Sequence, residues 1–203
     1  MILAISGKKQ AGKSTAFDFI KSKYHNAKEY ALADKLKTIC IDTLGLSHNQ
    51  CYGSDLEKNT LTSLKWEQMP EIAKMLLNHA PIDIQVNKSG FMTGREVMQF
   101  VGTDIFRKID AEVWVKACFD QIKTDQPEIA VISDVRFPNE VESVNKYGGK
   151  VIRLSRNVFN DYHQSETALD DYDRSKYWAY IDNQNMSLSK YLVELDKVLV
   201  NSF

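Results

Sequence analysis

The segment Gly7-Lys8-Lys9-Gln10-Ala11-Gly12-Lys13-Ser14 restricts this chain more than any other feature, because it satisfies G-x-x-x-x-G-K-[ST] in full. An apolar run, Met1-Ile2-Leu3-Ala4-Ile5-Ser6, precedes it and reads as a buried strand, and residues 15–21 read as a helix. Strand, glycine loop, lysine, hydroxyl and helix in that order describe a phosphate-binding loop. Glycine lets the backbone curl until successive N–H groups face one anion, so Gly7, Lys8, Gln10, Ala11 and Gly12 are the expected cradle. The following helix adds its positive end. Lys13 brings a mobile charge for the outer phosphates. The Ser14 hydroxyl suits Mg²⁺, which prefers oxygen and carries its own waters, and Thr15 can bond a phosphate from the first helical turn. For Lys8 and Lys9, solvated surface charge and phosphate contact are equally open.

A length of 203 residues suits one α/β domain carrying an inserted lobe. Lys plus Arg number 26 against 27 Asp plus Glu, a formal net charge of −1, which gives no sign of a nucleic-acid or anionic-membrane surface. Cys40, Cys51 and Cys118 have no metal or C-x-x-C spacing and read as reduced thiols. No apolar run reaches transmembrane length. The first strand starts at Met1, so neither a signal nor a transit peptide is expected and the expected location is cytoplasmic. The six arginines (Arg95, Arg107, Arg136, Arg153, Arg156 and Arg174) all lie beyond residue 94, whereas lysine is spread throughout. Arginine forks suit bidentate phosphate contacts, as a phosphoryl-transfer site assembled from later segments requires.

Along the chain, residues 28–32 are a short strand candidate, and Asp34 is expected to cap a helix over 35–44 that Gly45 ends. Residues 46–92 are punctuated by Gly53, Pro70, Pro81 and Asn87-Lys88-Ser89-Gly90, the last with the look of a hairpin tip. Pro70 can open a helix. Thr93 and Glu96 have capping-box spacing at the head of a helix that Gly102-Thr103-Asp104 should break or kink. A helix over 111–122, a central strand over 128–133 running into Asp134-Val135-Arg136, and a helix over 139–147 follow. Residues 150–154 form a strand, 155–177 a polar flap, and 180–183 a last strand. The closing helix over 188–200 carries one apolar stripe. Alternating strands and helices imply a mostly parallel sheet covered on both faces, a three-layer α/β/α fold with ligands at the carboxyl strand ends. The loop and the Asp134-x-Arg136 pair should therefore converge. Asp134 can hold hydrated Mg²⁺ or bind substrate, Arg136 can clamp a phosphate, and a purely structural ion pair is the remaining option.

Taken together, Gly7 to Thr15, the run Thr93-Gly94-Arg95-Glu96-Val97-Met98-Gln99-Phe100-Val101-Gly102-Thr103-Asp104, Trp114-Val115-Lys116 and Ile132 to Glu140 resemble the bacteriophage deoxynucleoside monophosphate kinases. His163-Gln164-Ser165-Glu166 and Ile181-Asp182-Asn183 extend the likeness over nearly the whole chain. Members of that family often carry Asp where Ser14 stands. The resemblance implies transfer of the ATP γ-phosphoryl to a deoxynucleoside 5′-monophosphate, with ATP and Mg²⁺ as the cofactors and small molecules as the partners. It implies that Arg95 holds the monophosphate. Gln99, Gly102 and Thr103 would shape the base and sugar pocket, and Trp114 would wall in the base. Asp134 and Arg136 would orient the acceptor and neutralise charge, with Glu140 behind them. Residues 46–110 are expected to form an inserted monophosphate-binding lobe and 155–177 a lid-like flap, and flap arginines such as Arg153 or Arg156 would add positive charge. Read alone, Trp114 fits a core aromatic better, and His163-Gln164-Ser165-Glu166 fits a phosphate contact or a helix cap. Another small-molecule kinase, acting on dephospho-coenzyme A or a nucleoside, and a non-catalytic nucleotide switch stay open, as does assembly into a homodimer.

Overall fold

Apolar strand residues pack where both faces of a parallel sheet are covered, and the run that opens the chain does so. Leu3, Ala4, Ile5 and Ser6 are all fully buried. The computed structural model describes residues 1–78, 84–158 and 164–200. In chain order the first elements are β1 (Ile2–Ser6), α1 (Lys13–Lys23) and β2 (Ala27–Tyr30). Next come α2 (Asp34–Asp42), α3 (His48–Tyr52), α4 (Asp55–Lys58), β3 (Leu61–Lys65), α5 (Met69–Leu76), β4 (Phe91–Thr93) and α6 (Gly94–Gln99). A π-helical stretch, Phe100–Arg107, continues α6. The chain finishes with α7 (Val113–Asp125), β5 (Ile129–Val135), α8 (Pro138–Lys146), β6 (Lys150–Leu154), α9 (Gln164–Thr167), β7 (Ala179–Ile181) and α10 (Leu188–Val200).

Two units separate, one comprising 1–32 with 115–203 and the other 33–114. The first holds a five-stranded sheet in the order β2-β5-β1-β6-β7, with every neighbouring pair parallel. This is the mostly parallel α/β arrangement expected. Leu3, Ile5, Ile129, Val131, Ile152, Leu154 and Ile181 point to one face, where Ala16 and Ile20 of α1 and Tyr191, Leu195 and Leu199 of α10 cover them. Each such aliphatic side chain contributes about 1.5–3 kcal/mol by leaving water. Strand residues alternate between faces, and the intervening Ala4, Ala130, Ile132 and Val151 are buried too. The chain passes from β5 on one side of β1 to β6 on the other. The carboxyl end of β1 is thus the switch point, where such sheets place ligands.

The second unit has its own core, built from Cys40, Leu44, Leu46, Cys51, Met69, Ala73, Met92, Val97, Val101 and Ile105. Three helices start on capping boxes: Ser47 with Gln50, Ser54 with Glu57, and Thr93 with Glu96. Three expectations need correction in this unit. Asp34 is the first residue of α2 rather than its cap; Ala33 is the cap and makes no side-chain bond. Residues 87–90 are not a tight hairpin tip, since β4 pairs antiparallel with β3, some 25 residues earlier, through Leu61↔Thr93 and Lys65↔Phe91. Of the break or kink expected at Gly102, the break is absent: the helix runs on with its turns widened into π-helix. A Cβ on Gly102 would stand 2.7 Å from Leu36 Cδ2, so the missing side chain lets a neighbouring leucine close in. Cys40, Cys51 and Cys118 are buried free thiols, and burial pushes the Cys40 thiol up to about 12, leaving little nucleophilic thiolate. Among the described residues no helix is long and apolar enough to cross a membrane.

Candidate active site

Between β1 and α1 the backbone twice enters the left-handed region, at Gln10 (φ 57°) and at Gly12 (φ 98°). Glycine adopts it freely; for glutamine it is uncommon. Changes of handedness between neighbouring residues build concave nests of N–H groups. A Cβ on Gly7 would lie 2.9 Å from Ala11 Cβ and 3.2 Å from Leu154 Cβ, so the tight start of the loop needs glycine. Ala11 N–H closes a turn onto Lys8 O at 3.1 Å. Lys13 reaches back across the curve, with Nζ donating to Gly7 O and Lys8 O at 2.8 Å each. Ser14 is exposed and Thr15 half-buried in the first turn of α1.

The loop is braced from behind by residues the sequence reading left without a role. Asn183 Nδ2 donates to Ala11 O at 2.8 Å, and Asn183 Oδ1 accepts from Arg156 N–H at 2.9 Å. Tyr191 O–H donates to Gly12 O at 3.1 Å. Asn183 follows β7 and Tyr191 belongs to the buried stripe of α10, whose apolar spacing hides the hydroxyl's use.

β5 delivers Asp134 and Arg136 to the same end of the sheet, since Ser6 of β1 is in register with Val135. Asp134 Oδ1 accepts from Leu32 N–H at 2.7 Å. Glu140, 2 % exposed, accepts from Arg136 N–H at 2.7 Å and Phe137 N–H at 3.1 Å. It thereby fixes the backbone that presents Arg136 and satisfies the start of α8. Convergence shows in the electrostatics of Lys13. Burial, helped by the Arg136 guanidinium and more weakly by Arg153, holds its ammonium down at about 8 against an ordinary 10.5, while Asp134 opposes the shift. Loop lysine, carboxylate and guanidinium thus share one field although the sequence holds them some 120 residues apart.

Arg153 is not a flap residue. It lies in β6 in register with Ser6, is 8 % exposed, and donates from Nη1 to Ser6 Oγ at 2.9 Å. A strand residue facing a neighbouring strand cannot swing with a lid. Arg156 is exposed just beyond β6. Two carboxylates after β6 meet the loop. Asp170 Oδ2 pairs with Lys8 Nζ at 2.7 Å, and Glu166 Oε2 accepts from Lys9 N–H at 2.8 Å while Oε1 pairs with Arg136 Nη1. Glu166 ends the His163-Gln164-Ser165-Glu166 motif, which fits a phosphate contact or a helix cap; nothing in the sequence points to Asp170. His163 lies outside the described residues.

The remaining predicted residues belong to the second unit. Arg95 and Gln99 are one turn apart on α6, with Gln99 and Thr103 exposed and Val97, Val101 and Ile105 buried. Arg95 donates from Nη2 to Asp55 Oδ1 at 2.7 Å and from Nε to Asn59 Oδ1 at 3.2 Å. Trp114 is 4 % exposed. Its Nε1–H bonds Gly102 O at 3.1 Å, and its ring meets Phe106 at 5.2 Å between centroids. Gly102, beside Leu36, is buried under the same stretch.

Mg²⁺ in phosphoryl-transfer sites takes one or two protein oxygens together with substrate phosphates rather than a full protein cage. Among the described residues no three His, Cys, Asp or Glu gather for a metal, while the Ser14 hydroxyl is exposed in the first turn of α1 and the Asp134 carboxylate half-buried near the end of β5. These hard oxygen donors fit the ion.

A profile of the deoxynucleotide monophosphate kinase family matches residues 1–71 and 56–188. A protein of Acanthamoeba polyphaga mimivirus with a provisional deoxynucleotide monophosphate kinase name is 26% identical over 186 residues, 83% of this chain and 82% of the viral protein. The deoxynucleoside-5′-monophosphate kinase of Escherichia phage T5 is 43% identical over 53 residues, 26% of this chain and 21% of its own length. An uncharacterized protein of Ictalurid herpesvirus 1 is 33% identical over 86 residues, 38% of this chain and 37% of that protein. The matched residues run from the Gly7–Ser14 loop through the Asp134–Arg136 strand end and past Asn183, stopping short of Tyr191, and with that match this chain belongs to the deoxynucleotide monophosphate kinase family.

Proposed function

We propose that this protein transfers the γ-phosphoryl group of ATP to a deoxynucleoside 5′-monophosphate, giving the diphosphate and ADP. The observation that carries this reading is the meeting of the loop with Asp134 and Arg136 at the carboxyl end of the central strand, where Ser6 is in register with Val135 and Glu166 joins Lys9 N–H to the Arg136 guanidinium. Phosphoryl transfer asks little covalent chemistry of a protein; it asks for alignment and for positive charge on the equatorial oxygens. In this reading the nest of Gly7, Lys8, Gln10, Ala11 and Gly12 holds the donor phosphates by backbone N–H groups, and Lys13 leaves its loop carbonyls to pair with them. Thr15 bonds a phosphate from the first turn of α1. Ser14, with Asp134 nearby, would hold Mg²⁺, which when bound neutralises phosphate charge.

Asp134 orients the acceptor, and Arg136 neutralises charge developing on the transferring group. Arg95 takes the acceptor's 5′-phosphate, exchanging its bonds to Asp55 and Asn59 for phosphate oxygens. Gln99 and Thr103 read sugar and base. Trp114 and Gly102 support that surface from within through the indole–carbonyl bond, a wall behind the pocket. In this reading residues 46–110 are the monophosphate lobe and 155–177 the lid, whose closure excludes water that would otherwise hydrolyse ATP.

The test is an acceptor screen with ATP and Mg²⁺ over the four deoxynucleoside monophosphates, dephospho-coenzyme A and free nucleosides. The expected result is equimolar deoxynucleoside diphosphate and ADP with at least one monophosphate. ADP formation independent of acceptor, or transfer confined to dephospho-coenzyme A or a nucleoside, overturns the assignment.

A further inference from the structure

We propose that Glu166 is a positioning residue for the transfer step, tying the Arg136 guanidinium to the backbone of the phosphate-binding loop. The proposal rests on the kinase reading above and deepens it.

Glu166 sits in α9, in a polar stretch where a carboxylate is normally solvated, yet its side chain is only 7% exposed. A buried carboxylate needs donors on its oxygens. One oxygen takes Lys9 N–H at 2.8 Å, and the other takes Arg136 Nη1. One anion thus bridges the donor-phosphate loop and the cation assigned to the transferring group. Arg136 is held at both ends. Glu140 fixes its backbone N–H at 2.7 Å, and Glu166 fixes its head. A guanidinium carries five N–H donors, and this contact uses one nitrogen.

An arginine on a flexible stem loses rotamer freedom each time it engages a phosphate; one already aimed reacts without that reorganisation. A second contact anchors the same stretch. Asp170 pairs with Lys8 Nζ at 2.7 Å and approaches Arg153 Nη2 at 3.8 Å. Residues 166–170 therefore grip the loop at two consecutive positions, Lys8 and Lys9.

The same contact has a rival meaning: Glu166 could be an internal anion occupying phosphate space, which nucleotide must displace. The two readings predict opposite effects of neutralising the charge. Glu166→Gln keeps the shape and one acceptor oxygen but drops the charge. It is to be compared with Arg136→Ala and with the double variant in a radiolabelled transfer assay. The expected result is a kcat about tenfold lower for Glu166→Gln, with KM for ATP within twofold. In the Arg136→Ala background the same substitution should change kcat less than twofold, because the effect passes through the arginine. An equal fall in both backgrounds overturns the proposal. So does an unchanged kcat, with or without tighter ATP binding.

Hydrogen exchange at the Lys9 amide, followed by NMR on the full chain, gives a readout independent of turnover. Exchange should speed up about tenfold in Glu166→Gln. If the wild type phosphorylates no monophosphate, the kinase reading falls and takes this proposal with it. If the wild type is active but exchange and kcat both ignore Glu166, this proposal alone falls.

Discussion

In the proposed reading, the lowered ammonium of Lys13 makes nucleotide affinity a function of pH in a range where few groups titrate. In the protein alone, burial and the adjoining guanidinium of Arg136 hold Lys13 at about 8 rather than 10.5. Phosphate oxygens pair with the ammonium and not with the amine, so nucleotide binding draws a proton onto Lys13 and restores its pKa toward the ordinary value. Affinity is therefore full only well below pH 8 and declines as pH rises through it. Between pH 7.5 and 9.5 the protonated fraction drops from about three quarters to about 3%, so Kd for MgATP should weaken about 25-fold, or ~1.9 kcal/mol. The assay is isothermal titration of MgATP at fixed ionic strength across that range. Repeating the pH 8 point in two buffers of different ionisation enthalpy should reveal uptake of about half a proton. Lys13→Arg, which cannot deprotonate, serves as control. Its affinity is expected to be weaker, since a planar fork replaces a point charge in a loop built for lysine, but flat with pH. A wild-type Kd constant within twofold from pH 7.5 to 9.5, or an equal decline in Lys13→Arg, would refute the reasoning.

Arg136→Ala should reduce kcat by about 10²–10³ with little change in KM for ATP, the pattern of a group acting on the transferring phosphoryl, in steady-state assays varying each substrate. Arg95→Ala should raise KM for the monophosphate about tenfold or more and leave ATP affinity unchanged. Because its partners Asp55 and Asn59 are at the surface, chemical denaturation should show a stability change under about 0.5 kcal/mol. Asn183→Ala strips a buried partner from Ala11 O and from Arg156 N–H, and should cost about 1–3 kcal/mol in urea unfolding while weakening ATP binding. Trp114→Phe removes the bond to Gly102 O, and should destabilise by about 1–2 kcal/mol in the same measurement.

The elements legible in the chain were those whose signal is local. Leu188–Val200 forms a helix over the predicted span because its apolar stripe repeats at helical spacing. Thr93 and Glu96 close their capping box within one turn. The run over 128–133 is β5, which spans Ile129–Val135. Gly102 misled because a glycine in a helix signals a break when solvated, but a close contact when a neighbour such as Leu36 fills the gap.

By itself, then, the order of residues determined the glycine-rich loop between β1 and α1, the alternation of strands and helices, and the arrival of Asp134 and Arg136 at the strand ends beside that loop. Periodicity, glycine conformation and parallel connectivity are properties of near neighbours and of chirality, so they can be read without coordinates. Only the tertiary structure decided that Glu166 and Asp170 come back onto Lys9 and Lys8, that Arg153 is locked against Ser6 rather than free in a flap, and that Asn183 and Tyr191 brace Ala11 and Gly12. Those pairings join side chains to side chains or backbone 147 to 179 residues away. A carboxylate or amide carries no local mark of the partner that burial will require it to find.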